Sequence, residues 1–139
     1  MDNIEFCNLV KEAKKMSGVS NVELVIGLRK SESTIVQLVK PKCDYNMIKY
    51  LEYLQVIGFY ISVTNKDGEC TDIQSESDLS SWTNSILQSL GQSSYELGEK
   101  LGTSHQTILR ISNGGPIKLS IFLKLAELTN CKVSLEAII

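Results

Sequence analysis

The chain writes one pattern twice. A constant 73 residues separates Leu24, Leu28, Ser31, Thr34 and Ile35 from Leu97, Leu101, Ser104, Thr107 and Ile108, and Gly18, Ser20 and Glu23 from Gly91, Ser93 and Glu96. Further along the spacing falls to 72, so that Leu51, Gly58 and Ile61-Ser62-Val63 match Leu123, Asn130 and Val133-Ser134-Leu135. The first copy therefore carries one extra loop residue. A tandem duplication restricts the fold more than any single motif does, because both copies must satisfy one plan.

The plan is helical. Phe6, Leu9, Val10, Ala13 and Met16 recur at helical spacing and predict a first helix over about 4–16, ended by Gly18. Ser20 caps a helix over 21–28, and Ser31 caps another from Glu32 to about Val39. A fourth runs over about 45–57 to Gly58. The period then changes: Phe59, Ile61 and Val63 alternate with Tyr60, Ser62 and Thr64, which predicts a strand. Asn65-Lys66-Asp67-Gly68 is turn chemistry leading to a return strand through Cys70 to Ile73. In the second copy Leu79, Trp82, Ile86 and Leu90 form the first stripe, with Trp82 on the core side. Helices over 95–101, 105–112 and 119–129 follow. For the last residues, Val133, Leu135 and Ala137 alternate, and a strand is expected over a short helix because the matching 59–63 holds little that favours helix.

Composition narrows the function classes. With 139 residues and 42% hydrophobic content the chain can bury one ordinary core or two marginal ones, so the halves are expected to pack on each other or on a second chain. The net charge is −2, but residues 65–81 hold one basic residue against five acidic ones, while 1–64 hold eight against seven and 82–139 five against four. Acidity belongs to the connector, and neither half is strongly basic. Cys7, Cys43, Cys70 and Cys131 are scattered without a Cys-x-x-Cys pair, and His105 is the single histidine, so no metal site and no cofactor are expected. The thiols are read as reduced and mostly core. A long apolar run and a signal peptide are both missing from the sequence, and a soluble cytoplasmic protein without a membrane partner is expected. An enzyme lacks parts here: neither a glycine-rich phosphate loop nor a nucleophile with a base can be picked out.

In the second copy, Tyr95–Leu101, Gly102 and His105–Ser112 read as helix, tight turn and helix, with Leu97, Leu101, Ile108 and Ile111 facing inward. LGTSHQTILRISNG resembles the phage-repressor class of helix-turn-helix, the Cro/repressor or xenobiotic-response-element type, and LRKSESTIVQLVKP in the first copy is similar. Leu125-Ala126-Glu127-Leu128 resembles that family's fourth-helix signature. The resemblance implies a mainly α fold of two tandem lambda-repressor-like helix-turn-helix units, 1–64 and 82–139, each ending in a short strand and joined by a hairpin and acidic connector over 65–81. The terminal strands are expected to pair across the halves or across a dimer and to bury Phe59, Ile61, Val133 and Leu135.

What the resemblance implies for function is sequence-specific binding of double-stranded DNA and transcription regulation. His105, Gln106 and Leu109 would face bases, and Ser104, Thr107, Arg110 and Asn113 would address phosphates or the helix cap. Gln106 suits a bidentate pair with adenine. The matching candidates in the first copy are Ser33, Gln37, Lys40 and Lys42. Two departures stand out. Arg29 and Lys30 replace the turn glycine and its neighbour, which predicts a reshaped turn, and Glu32 stands where a base-reading glutamine is common, a carboxylate that phosphates repel. Because the two second-position pairs differ, Glu32-Ser33 against His105-Gln106, a single-chain site is expected to be non-palindromic. The competing expectation is a protein-interaction module, an antitoxin, antirepressor or co-regulator, working as a homodimer or with a protein partner.

Overall fold

Side-chain oxygens open most of the helices, replacing the intrahelical acceptors that the first N–H groups lack. In a computed structural model describing residues 1–138, α1 (Asn3–Ser17) is capped by Asp2, α2 (Asn21–Leu28) by Ser20 and α3 (Glu32–Leu38) by Ser31. Then come α4 (Met47–Ile57), β1 (Phe59–Thr64) and β2 (Cys70–Ile73). Ser75 caps α5 (Glu76–Leu90), Ser93 caps α6 (Ser94–Leu101) and Ser104 caps α7 (His105–Ser112), before α8 (Leu119–Leu128) and β3 (Lys132–Ala137). The described residues are thus mainly helical, with one small antiparallel sheet in the order β2-β1-β3.

Three expectations change. Glu76 to Ser81, read as connector, form the first turns of α5: the Ser75 hydroxyl accepts from the Asp78 N–H at 3.1 Å, and Glu76 and Asp78 sit where a helix N-terminus favours acid. The turn after α2 is not reshaped, since Arg29 takes the same left-handed conformation (φ 55°) that Gly102 takes after α6 (φ 70°). Of the four free cysteines only Cys7 is buried, and Cys70 is exposed on β2.

The strands of the two halves do pair with each other: β1 and β3 are antiparallel, with Ile61 opposite Leu135, Ser62 opposite Ser134 and Val63 opposite Val133. Ile61 and Val133 are buried, whereas Phe59 and Leu135 are half-buried. The register is informative because Ser62 and Ser134 stand 72 residues apart and match in the repeat. A second antiparallel contact, Asn46 with Lys118, also joins matching residues. There the first helical N–H of α4, from Met47, donates to the Ile117 carbonyl at 2.7 Å, and that of α8, from Leu119, donates to the Tyr45 carbonyl at 2.9 Å. An antiparallel pair has a local two-fold axis at its centre. Where the central residues are also repeat equivalents, that axis carries one half onto the other. The chain is therefore an approximate two-fold dimer folded from one polypeptide.

The core keeps the symmetry only in part. Tyr50 and Phe122 are matching residues, but the aromatic ring packed on each comes from a different position of the repeat: Phe6, which matches Leu79, meets Tyr50 edge-on at 5.6 Å, and Trp82, which matches Leu9, packs on Phe122 at 5.0 Å. Asp44 breaks the symmetry. Its carboxylate crosses to the other half, accepting from the Ser120 N–H at 2.9 Å and from the Ser120 hydroxyl, and so it caps α8, which has no side-chain cap of its own. The matching positions are Pro116 and Ile48, which can form no such bond.

Candidate nucleic-acid interface

α4 and α8 run from the Asn46–Lys118 contact to the strands, a length of about 16 Å for the eleven residues of α4. Because α3 and α7 feed through short loops into that contact, they lie toward the end of the axis away from the sheet.

On α7, Ile108 and Ile111 are buried, and Gln106, Leu109, Arg110 and Asn113 are exposed at a spacing that puts them on one face. The helix start is fixed by the Ser104 hydroxyl, which accepts from the Thr107 N–H at 3.2 Å and lies 3.0 Å from the Thr107 hydroxyl. Arg110 in turn donates to the Thr107 Oγ1 at 3.5 Å, which leans the guanidinium toward the helix start. Leu109, 48% exposed, offers an apolar contact between two polar side chains. Gln106 has a free carboxamide on the same face. Such a set can hydrogen-bond a base edge, touch a thymine methyl and reach a phosphate.

His105 is placed differently from its neighbours. Its ring is half-buried and stacks on Tyr95 at the start of α6, with centroids 4.1 Å apart and planes 18° from parallel. One ring face is covered, and the stack ties the beginnings of α6 and α7 together. Tyr95 itself is 68% exposed and so stays open to solvent beside the start of α7. Nothing local in the sequence marks this contact, since Tyr95 and His105 lie ten positions apart on separate helices. Gly98 lets α6 and α7 approach closely: a Cβ there would stand 2.8 Å from the Thr103 carbonyl oxygen.

The matching face of α3 presents Ser33, Val36, Gln37 and Lys40, all exposed, with Lys42 beyond them. Its chemistry differs. Gln37 accepts from the Tyr45 hydroxyl at 3.4 Å, so its carboxamide is partly engaged. The neighbouring Cys43 thiol, and then desolvation, push the Tyr45 phenol above its ordinary pKa. The Ser33 hydroxyl lies 3.1 Å from that of Ser31. Glu32 sits in the first turn, where its charge complements the helix N-terminus and gives it a structural role.

Around α2 the surface is apolar where the second half is not. Val22 is 67% and Ile26 72% exposed, and their matches are Tyr95 and Glu99. No helix among the described residues is long and apolar enough to cross a membrane. Comparison with family models, curated proteins and solved structures returned no match.

Proposed function

We propose that the chain is a sequence-specific double-stranded DNA-binding transcription regulator, built of two tandem helix-turn-helix units, in which α7 enters the major groove. The single observation that carries this is the exposed face of α7: Gln106, Leu109, Arg110 and Asn113 project together from a helix whose start is held by Ser104 and Thr107. Gln106 reads a base pair, Leu109 adds an apolar contact, and Arg110, Tyr95 and the Ser104 end of the helix meet phosphates.

The approximate two-fold adds a geometric expectation. Proteins with two-fold related reading helices bind inverted half-sites. Here α3 and α7 carry different side chains, so the two half-sites are inverted in direction yet unlike in sequence, and the α7 half-site dominates. Arg110→Ala weakens binding to all duplexes alike, whereas Gln106→Ala relaxes preference at one base pair by about 1–3 kcal/mol. Titration of mixed duplex DNA at two salt concentrations tests the reading. A DNA binder loses affinity steeply with salt as condensed counterions are released, and an absence of binding at low salt refutes it.

The exposed Val22 and Ile26 favour one addition. Together with Glu32 at the start of α3, they suit the first unit better to a protein partner than to phosphates. An interaction module on the same scaffold is the reading to adopt if DNA does not bind.

A further inference from the structure

The approximate two-fold leaves one strand without a counterpart. β2 pairs with the outer edge of β1, placing Ile73 opposite Ile61 and burying it completely. The outer edge of β3 has no strand against it among the described residues. Beside that edge lies an open pocket of about 400 Å³, lined by Met1, Leu123, Ala126, Glu127, Cys131 and Val133 among others. Leu123, Ala126, Glu127 and Cys131 match, in the repeat, Leu51, Leu54, Gln55 and Phe59, which close around Ile73 in the other half and leave only about 10 Å³. The pocket is the place that Ile73 fills in the other half.

The edge is also ready to pair. The Ile138 N–H donates to the Gly58 carbonyl, so even-numbered residues of β3 turn their backbone groups to β1 and the odd ones, Val133 and Leu135, turn theirs outward. At its two ends stand exposed Lys132 and exposed Glu136. A strand that fits must run antiparallel with a basic residue opposite Glu136, an aliphatic one opposite Val133 and an acidic one opposite Lys132. β3 has that sequence itself, Lys132-Val133-Ser134-Leu135-Glu136.

We infer that two copies of this chain dimerise by pairing β3 on β3, antiparallel, with Ser134 at the centre. In that register Lys132 meets Glu136 of the partner subunit, and Val133 exchanges backbone hydrogen bonds with Leu135 of the partner subunit, which takes the place that Ile73 holds beside Ile61. The Lys–Glu pair forms twice by symmetry, and the sheet becomes six strands in the order β2-β1-β3-β3-β1-β2. The inference does not rest on DNA binding.

Sedimentation velocity of the intact chain over a wide concentration range, with Lys132→Glu, Glu136→Lys and the double reversal, tests it. Lys132 and Glu136 lie opposite uncharged Thr64 and Tyr60 within the chain, so the fold tolerates the changes. The wild type dimerises, each single reversal creates two like-charge pairs and raises the dissociation constant by about an order of magnitude, and the double reversal restores it. Exchange of the Val133 and Leu135 amides slows as concentration rises. A wild type that stays monomeric up to millimolar concentration overturns the inference and leaves the edge to a strand from another protein. A dimer indifferent to the reversals, or one that the double reversal fails to restore, overturns the register.

Discussion

Replacing Gly98 by alanine sets two opposed effects against each other, and the structure decides the sign. Alanine favours a helix interior over glycine by about 1 kcal/mol, so at an open helical site the change stabilises. At Gly98 the new methyl would stand 2.8 Å from the Thr103 carbonyl oxygen, 3.1 Å from the Ser104 carbonyl carbon and 3.2 Å from the His105 nitrogen. All three are backbone atoms, and the Thr103 N–H is already bonded to the Gly98 carbonyl at 2.8 Å. The turn cannot yield without moving the start of α7. Overpacking of this kind costs about 1–3 kcal/mol, which outweighs the propensity gain and leaves a net loss of about 1 kcal/mol or more. For a chain of this size that lowers the Tm by about 3–6 °C. Gly27→Ala is the control: its Cβ would meet only Val56 methyl groups, at 3.2 and 3.3 Å, a side chain that can shift, so the change is neutral or slightly stabilising. Thermal and urea unfolding of both variants measure the difference. Equal stabilisation by the two alanines would refute the close approach of α6 and α7.

Asp44→Ala removes the carboxylate that caps α8 from the other half and is expected to cost about 1–2 kcal/mol in urea unfolding, as loss of a helix cap does; an unchanged midpoint would contradict the cross-half contact. Arg29→Gly relieves a left-handed residue and is expected to gain about 0.5–1 kcal/mol, read as a rise in Tm. Burial holds the Tyr53 phenol up to about 12 against an ordinary 10, so the folded state keeps a proton that the unfolded chain releases. Its contribution is intact below pH 10 and is lost as pH rises toward 12; Tyr53→Phe should flatten that alkaline decline in a pH series of Tm values.

How much of this was legible in the sequence depends on how local the cause is. Caps at Ser20, Ser31, Ser93 and Ser104, and left-handed ends at Gly18, Gly58, Gly91 and Gly102, are written within a few residues of where they act. The alternation at 59–63 and 133–137 foretold both strands because each packs one face inward. The acid-rich start of α5 is not legible as helix, since Glu76 and Asp78 look like a solvated connector until Ser75 caps them. The two-fold was hidden for another reason. A repeat says that two halves are alike, but their relation lies in the Ser62–Ser134 and Asn46–Lys118 contacts, which join residues far apart in the chain. On α7 the exposed face was legible from periodicity, whereas the Tyr95–His105 stack depends on the angle between two helices and left no local trace.

Selection of bound sites from a pool of random duplexes tests most directly the claim that a two-fold pair of unlike helices reads DNA. One strong element, set by Gln106 and its neighbours, is expected to be enriched, accompanied by a weaker and different element in inverted orientation. Recovery of a direct repeat, or of no enriched sequence at all, would contradict it.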